Sequence, residues 1–120
     1  MAELTWVNHS SFIIQQGQGG LICDPWLDGS VFNNGWDLLS LTHWAYDDFR
    51  RLTHIWFSHE HPDHFCPPNI QKIPEDARDS LEVLYQATRD RKVLDFCQKI
   101  GFQTREARPF EWIDLGNSMR

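Results

Sequence analysis

No stretch of this 120-residue chain approaches the ~20 consecutive apolar residues that a membrane-spanning helix needs, so no membrane association is expected. The amino terminus, Met1-Ala2-Glu3-Leu4, lacks the basic segment followed by an apolar run that marks a secretory leader. A cytoplasmic protein is the expectation. The cysteines, Cys23, Cys66 and Cys97, are three in number and widely spaced, which reads as reduced thiols and excludes a disulfide framework. Positive charge is also short: 11 Lys and Arg stand against 17 Asp and Glu, for a net charge of −6. That balance leaves no electrostatic footprint for nucleic acid or an anionic membrane, and the expected partner is a small-molecule substrate. There is no Gly-rich phosphate loop, no Ser-His-Asp arrangement, no internal repeat and no low-complexity linker.

Aromatic residues are plentiful. Six Trp and eight Phe within 41% apolar residues can build an adequate core for a single domain spanning 1–120. Trp26, Phe32, Trp36 and Trp44 fall in a stretch punctuated by Gly and Asn, without periodicity. They read first as core packing and second as a pocket wall or an interface.

The most informative segment is Ser58-His59-Glu60-His61-Pro62-Asp63-His64, directly after the apolar Ile55-Trp56-Phe57. His59 and His61 are two positions apart, so in an extended or tightly turned segment both imidazoles leave the same side of the backbone and converge on one cation. Asp63 and His64 then face a different direction and suit a second cation nearby, as in two-metal hydrolytic sites. Neutral imidazole and ionised carboxylate are both available near pH 7. The bland alternatives are a solvated His-rich loop and, for Asp63, a cap on the following helix. Cys66 reads better as a small buried hydrophobe than as a ligand.

This His59-x-His61-x-Asp63-His64 motif after a hydrophobic strand resembles the signature of the metallo-β-lactamase superfamily. Asn8-His9-Ser10-Ser11, the run from Leu21 to Gly29 and Phe32-Asn33-Asn34-Gly35-Trp36 are similar to one branch of it. That branch holds hydrolases like ascorbate-6-phosphate lactonase and the related domain of CMP-N-acetylneuraminate hydroxylase. The resemblance implies an α/β fold, the N-terminal half of an αββα sandwich with a mixed, mainly antiparallel sheet and flanking helices. It implies a metal site of His59, His61, Asp63 and His64, with Asp24 bonding to a ligand His and His9 facing the pocket. A complete member is about twice as long, and its later half supplies further His and Asp ligands. None is found after His64 here. Two donors per metal are too few for a catalytic zinc site, so the domain reads as incomplete, with a second chain or another copy of this one expected to complete it.

The implied activity is metal-dependent hydrolysis, with Asp63 orienting the attacking water or taking its proton. Zinc is the first expectation from the donor set, with manganese or iron also compatible. Two rival readings are an oxidoreductase-associated domain that binds a nucleotide sugar or iron, and a non-catalytic metal-binding fragment.

A pass along the chain places these motifs. Leu4–Val7, Phe12–Ile14 and Leu21–Cys23 read as an antiparallel meander, with a Gly-rich turn before the third strand. Tyr46–Leu52 reads as a short helix feeding the strand Ile55–Phe57, which is apolar on both faces and suits a central position. Asn69–Ile73 reads as a turn and Leu81–Tyr85 as a strand. The segment from Arg91 to Ile100 reads as an amphipathic helix with Asp90 as N-cap and Gly101 as its stop. Trp112–Leu115 reads as the start of a final strand.

Overall fold

A computed structural model describes residues 1–120. Strands β1 (Glu3–Asn8), β2 (Ser11–Gln16) and β3 (Gly19–Cys23) form the expected antiparallel meander. The β2–β3 turn is two residues long and opens on Gly17 at φ +58°, a conformation that costs glycine little. A short 3₁₀ helix, Tyr46–Arg51, leads into β4 (His54–Phe57). Two one-turn helices follow, α1 (Pro67–Ile70) and α2 (Glu75–Arg78), then β5 (Glu82–Gln86), α3 (Lys92–Lys99) and β6 (Gln103–Ala107).

The six strands lie in one sheet in chain order. The sheet is mixed, as expected, but its balance differs from the expected antiparallel majority: β3, β4, β5 and β6 run parallel, so three of the five pairings are parallel. Parallel neighbours need crossovers, and the 24–53, 58–81 and 87–102 connections supply them. The strand expected at Trp112–Leu115 is absent; that segment is irregular and Trp112 is 80% exposed. The last strand is instead Gln103–Ala107, whose polar side chains suit an edge.

The core is a row across the sheet. Ile13 pairs with Ile22, Ile22 with Ile55 and Ile55 with Val83, and all four are fully buried. They pack in one cluster with Phe49, Leu52, Ile70 and Ile73, and with Val93, Leu94 and Cys97 of α3. The N-cap of α3 is Arg91, one residue after the expected Asp90, whose Oδ1 still accepts the Lys92 N–H at 2.9 Å; Gly101 follows the helix at φ +110°, as expected. On the opposite face, Leu4, Trp6, Phe12, Ile14, Leu21 and Trp56 alternate with the core row and remain partly or largely exposed.

Because β3, β4 and β5 are parallel, the carboxyl ends of β3 and β4 and the β1–β2 turn lie at one edge of the sheet. Every site residue anticipated from the sequence is found there or in the loop that follows β4.

Candidate metal centre

His9 occupies the tip of the β1–β2 hairpin, between the paired residues Asn8 and Ser11. Its φ is +49°, a left-handed conformation uncommon outside glycine, and Asn8 Oδ1 accepts the His9 N–H at 3.0 Å. The turn sends the His9 ring back over the sheet edge, edge-on to buried Trp26 at 5.1 Å, and brings Nε2 to 3.0 Å from Asp63 Oδ2.

Asp24 follows β3 and is also left-handed, at φ +43°, while its N–H donates to Trp56 O and continues the ladder to β4. Two such backbone conformations at one sheet edge are local strain of the kind that collects at functional sites. The buried Asp24 carboxylate accepts three hydrogen bonds: the Ser58 N–H at 2.7 Å, the Ser58 hydroxyl at 2.6 Å and His64 Nδ1–H at 2.8 Å. Because a carboxylate only accepts, the proton of the neutral His64 ring lies on Nδ1 and Nε2 keeps its lone pair. The Ser58 hydroxyl spends its one proton on Asp24, so at 2.8 Å it accepts from His59 Nδ1–H. Asp24 thus fixes the tautomer of two histidines, one directly and one through Ser58, and leaves both Nε2 atoms as donors for a metal.

After His59 the loop closes on itself. Pro62 sets the backbone of a turn in which the His64 and Phe65 N–H groups both donate to His61 O, and Phe65 is anchored edge-to-face on Phe57 at 4.9 Å. The rings of His61 and His59 lie 4.5 Å apart, those of His59 and His64 4.1 Å, and those of His64 and His9 5.9 Å, a continuous run of four imidazoles. Asp63 and His64 therefore do not face away from the His59 and His61 pair; the two halves of the motif adjoin. The tightest convergence joins His9, Asp63 and His64, whose ligand atoms all lie within 4.8 Å of one another.

Two observations test whether a cation fits. His64 Nε2, with its lone pair free, lies 3.3 Å from Asp63 Oδ2, an acceptor facing an acceptor unless a proton or a cation stands between them. Asp63 Oδ1 is buried with no hydrogen-bond partner, and a buried unpaired carboxylate oxygen is costly. Burial alone would raise the Asp63 carboxyl, but the His9 hydrogen bond and the nearby His64 outweigh it and hold it below the ordinary carboxylate range. The anionic oxygen, the imidazole nitrogens and the unpaired Oδ1 fit a divalent cation of the His/Asp-binding kind.

Ser58 and Asn69 were not anticipated from the sequence. Asn69 is buried in α1; its Oδ1 accepts the Leu27 and Asp28 N–H groups at 2.6 and 3.3 Å, which pins the loop after Asp24. The helix that Asp63 was weighed to cap starts with Cys66 at its N-cap, so Asp63 is free for the site. Cys66 is 4% exposed and packs with Trp26 and Val31, as a small hydrophobe does. Among the aromatics, Trp26 is buried and Trp44 packs on the core, whereas Phe32 and Trp36 are exposed beside His61 and His9.

A mixed sheet with flanking helices and a His/Asp cluster at the carboxyl ends of its strands defines an α/β domain with a candidate metal centre. The chain belongs to the beta-lactamase superfamily, whose domain model matches residues 3–110. Cytidine monophosphate-N-acetylneuraminic acid hydroxylase of Xenopus laevis is 28% identical over 123 aligned positions, covering 98% of this chain and 20% of the relative. A putative Rieske 2Fe-2S iron-sulfur protein of Mycolicibacterium smegmatis is 28% identical over 76 residues, 62% of this chain and 15% of that one. The chain thus spans a fifth or less of these relatives' length. Among solved structures, CmlA, a diiron β-hydroxylase from Streptomyces venezuelae, superposes with a TM-score of 0.62 at 16% identity, over 96% of this chain and 22% of that one. The isothiocyanate hydrolase from Delia radicum gut bacteria gives 0.61 at 20% identity, over 89% and 41%. At these identities the likeness is one of fold. No helix is long and apolar enough to cross a membrane.

Proposed function

We propose that this chain is the metal-binding portion of a metal-dependent hydrolase, with His59, His61, Asp63 and His64 holding one or two divalent cations and His9 beside them. The observation that carries the reading is the convergence of His9, Asp63 and His64 around the unpaired Asp63 Oδ1. The chemistry such a cation supplies is a bound water of lowered pKa and a polarised carbonyl or phosphoryl group, which suits ester, lactone or phosphodiester bonds. Asp63 would orient a water there and take its proton, while Asp24 and Ser58 would keep His64 and His59 in the ligating tautomer. Zinc fits the donor set; manganese and iron fit it too. The remaining donors come from outside these 120 residues. The working compartment is the cytoplasm.

A second reading, an iron-dependent oxidoreductase portion, is favoured by the relatives and structural neighbours, which include hydroxylases, a diiron enzyme and a putative Rieske iron-sulfur protein. One experiment separates the two: elemental analysis of protein purified without added metal, followed by assays on generic ester, lactone and phosphodiester substrates. Zinc or manganese with hydrolysis supports the first reading; iron without hydrolysis supports the second. Under both, His59→Ala abolishes metal uptake, and stoichiometric metal in that variant overturns the assignment.

A further inference from the structure

Next to the histidine cluster lies a cleft of about 450 Å³ whose walls include three indoles. Trp6, Trp26 and Trp36 line it with His9, Leu38 and Asp37. It falls in the size range of small-molecule sites, which are apolar clefts with few polar groups.

The walls are held in place. Trp6 Nε1–H donates to His9 O at 3.2 Å and Trp26 Nε1–H to Gly29 O at 3.0 Å, which fixes two indoles although Trp6 is 63% exposed. The third stands on a tight turn in which Val31 and Trp36 exchange both backbone hydrogen bonds, at 3.0 and 3.1 Å. Within that turn Phe32, Asn33 and Asn34 are left-handed in succession, at φ +54°, +54° and +65°. Asparagine tolerates that region, but phenylalanine rarely does, and such strain persists where the surroundings enforce it. Its effect is to stand Phe32 and Trp36 edge-to-face, 5.0 Å apart, with Phe32 facing His61 and Trp36 facing His9. Asn8 and Ser40, hydrogen-bonded to each other, close the floor.

From this geometry we infer that the cleft binds a flat aromatic ring bearing no negative charge, and that Trp36 and Trp6 select it. Planarity matches the indole walls, which favour stacked or edge-on rings. Apart from His9, the one charged side chain in the lining is Asp37, so an anionic ring meets a carboxylate and no Lys or Arg. His9 lines the cleft and its Nε2 lies 3.0 Å from Asp63 Oδ2, so a bond one or two atoms from a ring held beside His9 would reach the metal centre; that part of the inference rests on the metal-centre reading, whereas the binding itself does not.

The test is a titration of the chain, with and without added zinc, with benzamide, benzoate and cyclohexanecarboxamide, following the indole N–H signals by ¹H–¹⁵N NMR. Benzamide is expected to shift the Trp6, Trp26 and Trp36 signals saturably in both preparations, with benzoate and the non-planar amide at least roughly tenfold weaker. Trp36→Ala should weaken benzamide roughly tenfold and Trp36→Phe no more than about threefold, both without change in thermal midpoint. Equal binding of the cyclohexyl amide, unchanged affinity in Trp36→Ala, or shifts confined to Trp44 and Trp112 would overturn the inference. Benzamide binding by a chain that takes up no metal keeps the cleft and shows that it does not depend on the metal centre; metal uptake without benzamide binding overturns the cleft and keeps the metal centre.

Discussion

His64 stands between two carboxylates, with Nδ1 on Asp24 and Nε2 facing Asp63, and this sets what each acid does. Asp24 accepts hydrogen bonds from His64 and Ser58 at both oxygens, so in the proposed reading its work is orientation. Asp63 keeps one oxygen unpaired, so it is the one poised to ligate. Asp24→Asn replaces an acceptor with an amide that cannot take all three donors, and metal affinity should fall by about 10–100-fold while the fold persists. Ser58→Ala, which frees His59 and removes one of the three donors to Asp24 but leaves the His64 bond, should sit at the low end of that range. Chelator competition with circular dichroism as a control measures both, and unchanged affinity in Asp24→Asn would remove its positioning role. Away from the site, burial holds His54 below its ordinary value, outweighing the upward pull of Glu82 3.5 Å away. A lowered folded-state pKa means that the unfolded chain takes up the proton first. The contribution of His54 is therefore intact above about pH 6.5 and is lost as pH falls below it. Urea midpoints at pH 7.5 and 5.5 should drop more for the native chain than for His54→Gln; an equal drop would assign the acid sensitivity to other groups.

At the scale of elements, the loop that carries Asp24 is tied to the rest by α1, a helix of one turn. Asn69→Ala would leave the Leu27 and Asp28 N–H groups without their acceptor, and a loss of roughly 1–3 kcal/mol in unfolding free energy is expected. A change within a few tenths, measured by denaturant titration, would mean that water replaces the amide. Asn69 was illegible in the sequence because its partners lie more than forty positions away and nothing in Pro67-Pro68-Asn69-Ile70 marks it. The same reason hid His9's approach to Asp63 and the link from Asp24 through Ser58 to His59; each depends on which strands are neighbours. What was legible was local: the meander from alternation and a Gly turn, β4 from its unbroken apolar run, α3 from its apolar stripe between Asp90 and Gly101, and the histidine motif from spacing alone. β6 escaped because an edge strand of Gln, Thr, Arg, Glu and Ala has no apolar pattern to read. Trp112–Leu115 misled because its apolar residues pair with no strand, Trp112 staying exposed and Ile113 and Leu115 only half-buried.

For the whole molecule, the two faces of the sheet make opposite demands. One is sealed by α3 and the loops, and its central row is fully buried. The other presents Leu4 and Trp6 exposed and Phe12, Ile14, Leu21 and Trp56 half-buried, with Asn117 and Met119 covering it at Gly19, on a sheet whose β1 edge is open along Glu3–Trp6. The opposite edge is managed differently: β6 carries Arg105 and Glu106, paired with Glu82 and Arg91, charges that discourage further strand addition. An apolar face next to an open edge is a surface that another layer covers, and in a sandwich fold that layer is a second sheet. The chain by itself should therefore associate with rising concentration, and Leu4→Lys, at a position 66% exposed and paired with Ile14, should shift it toward the 14.2 kDa monomer without unfolding it. Sedimentation over a hundredfold dilution series, with metal content measured on each species, checks this. If the covering layer also brings the missing donors, metal content rises with the associated fraction. A 14.2 kDa monomer at every concentration would mean that this face needs no cover, and a monomer that also holds full metal would mean that His9 and the four motif residues bind it unaided.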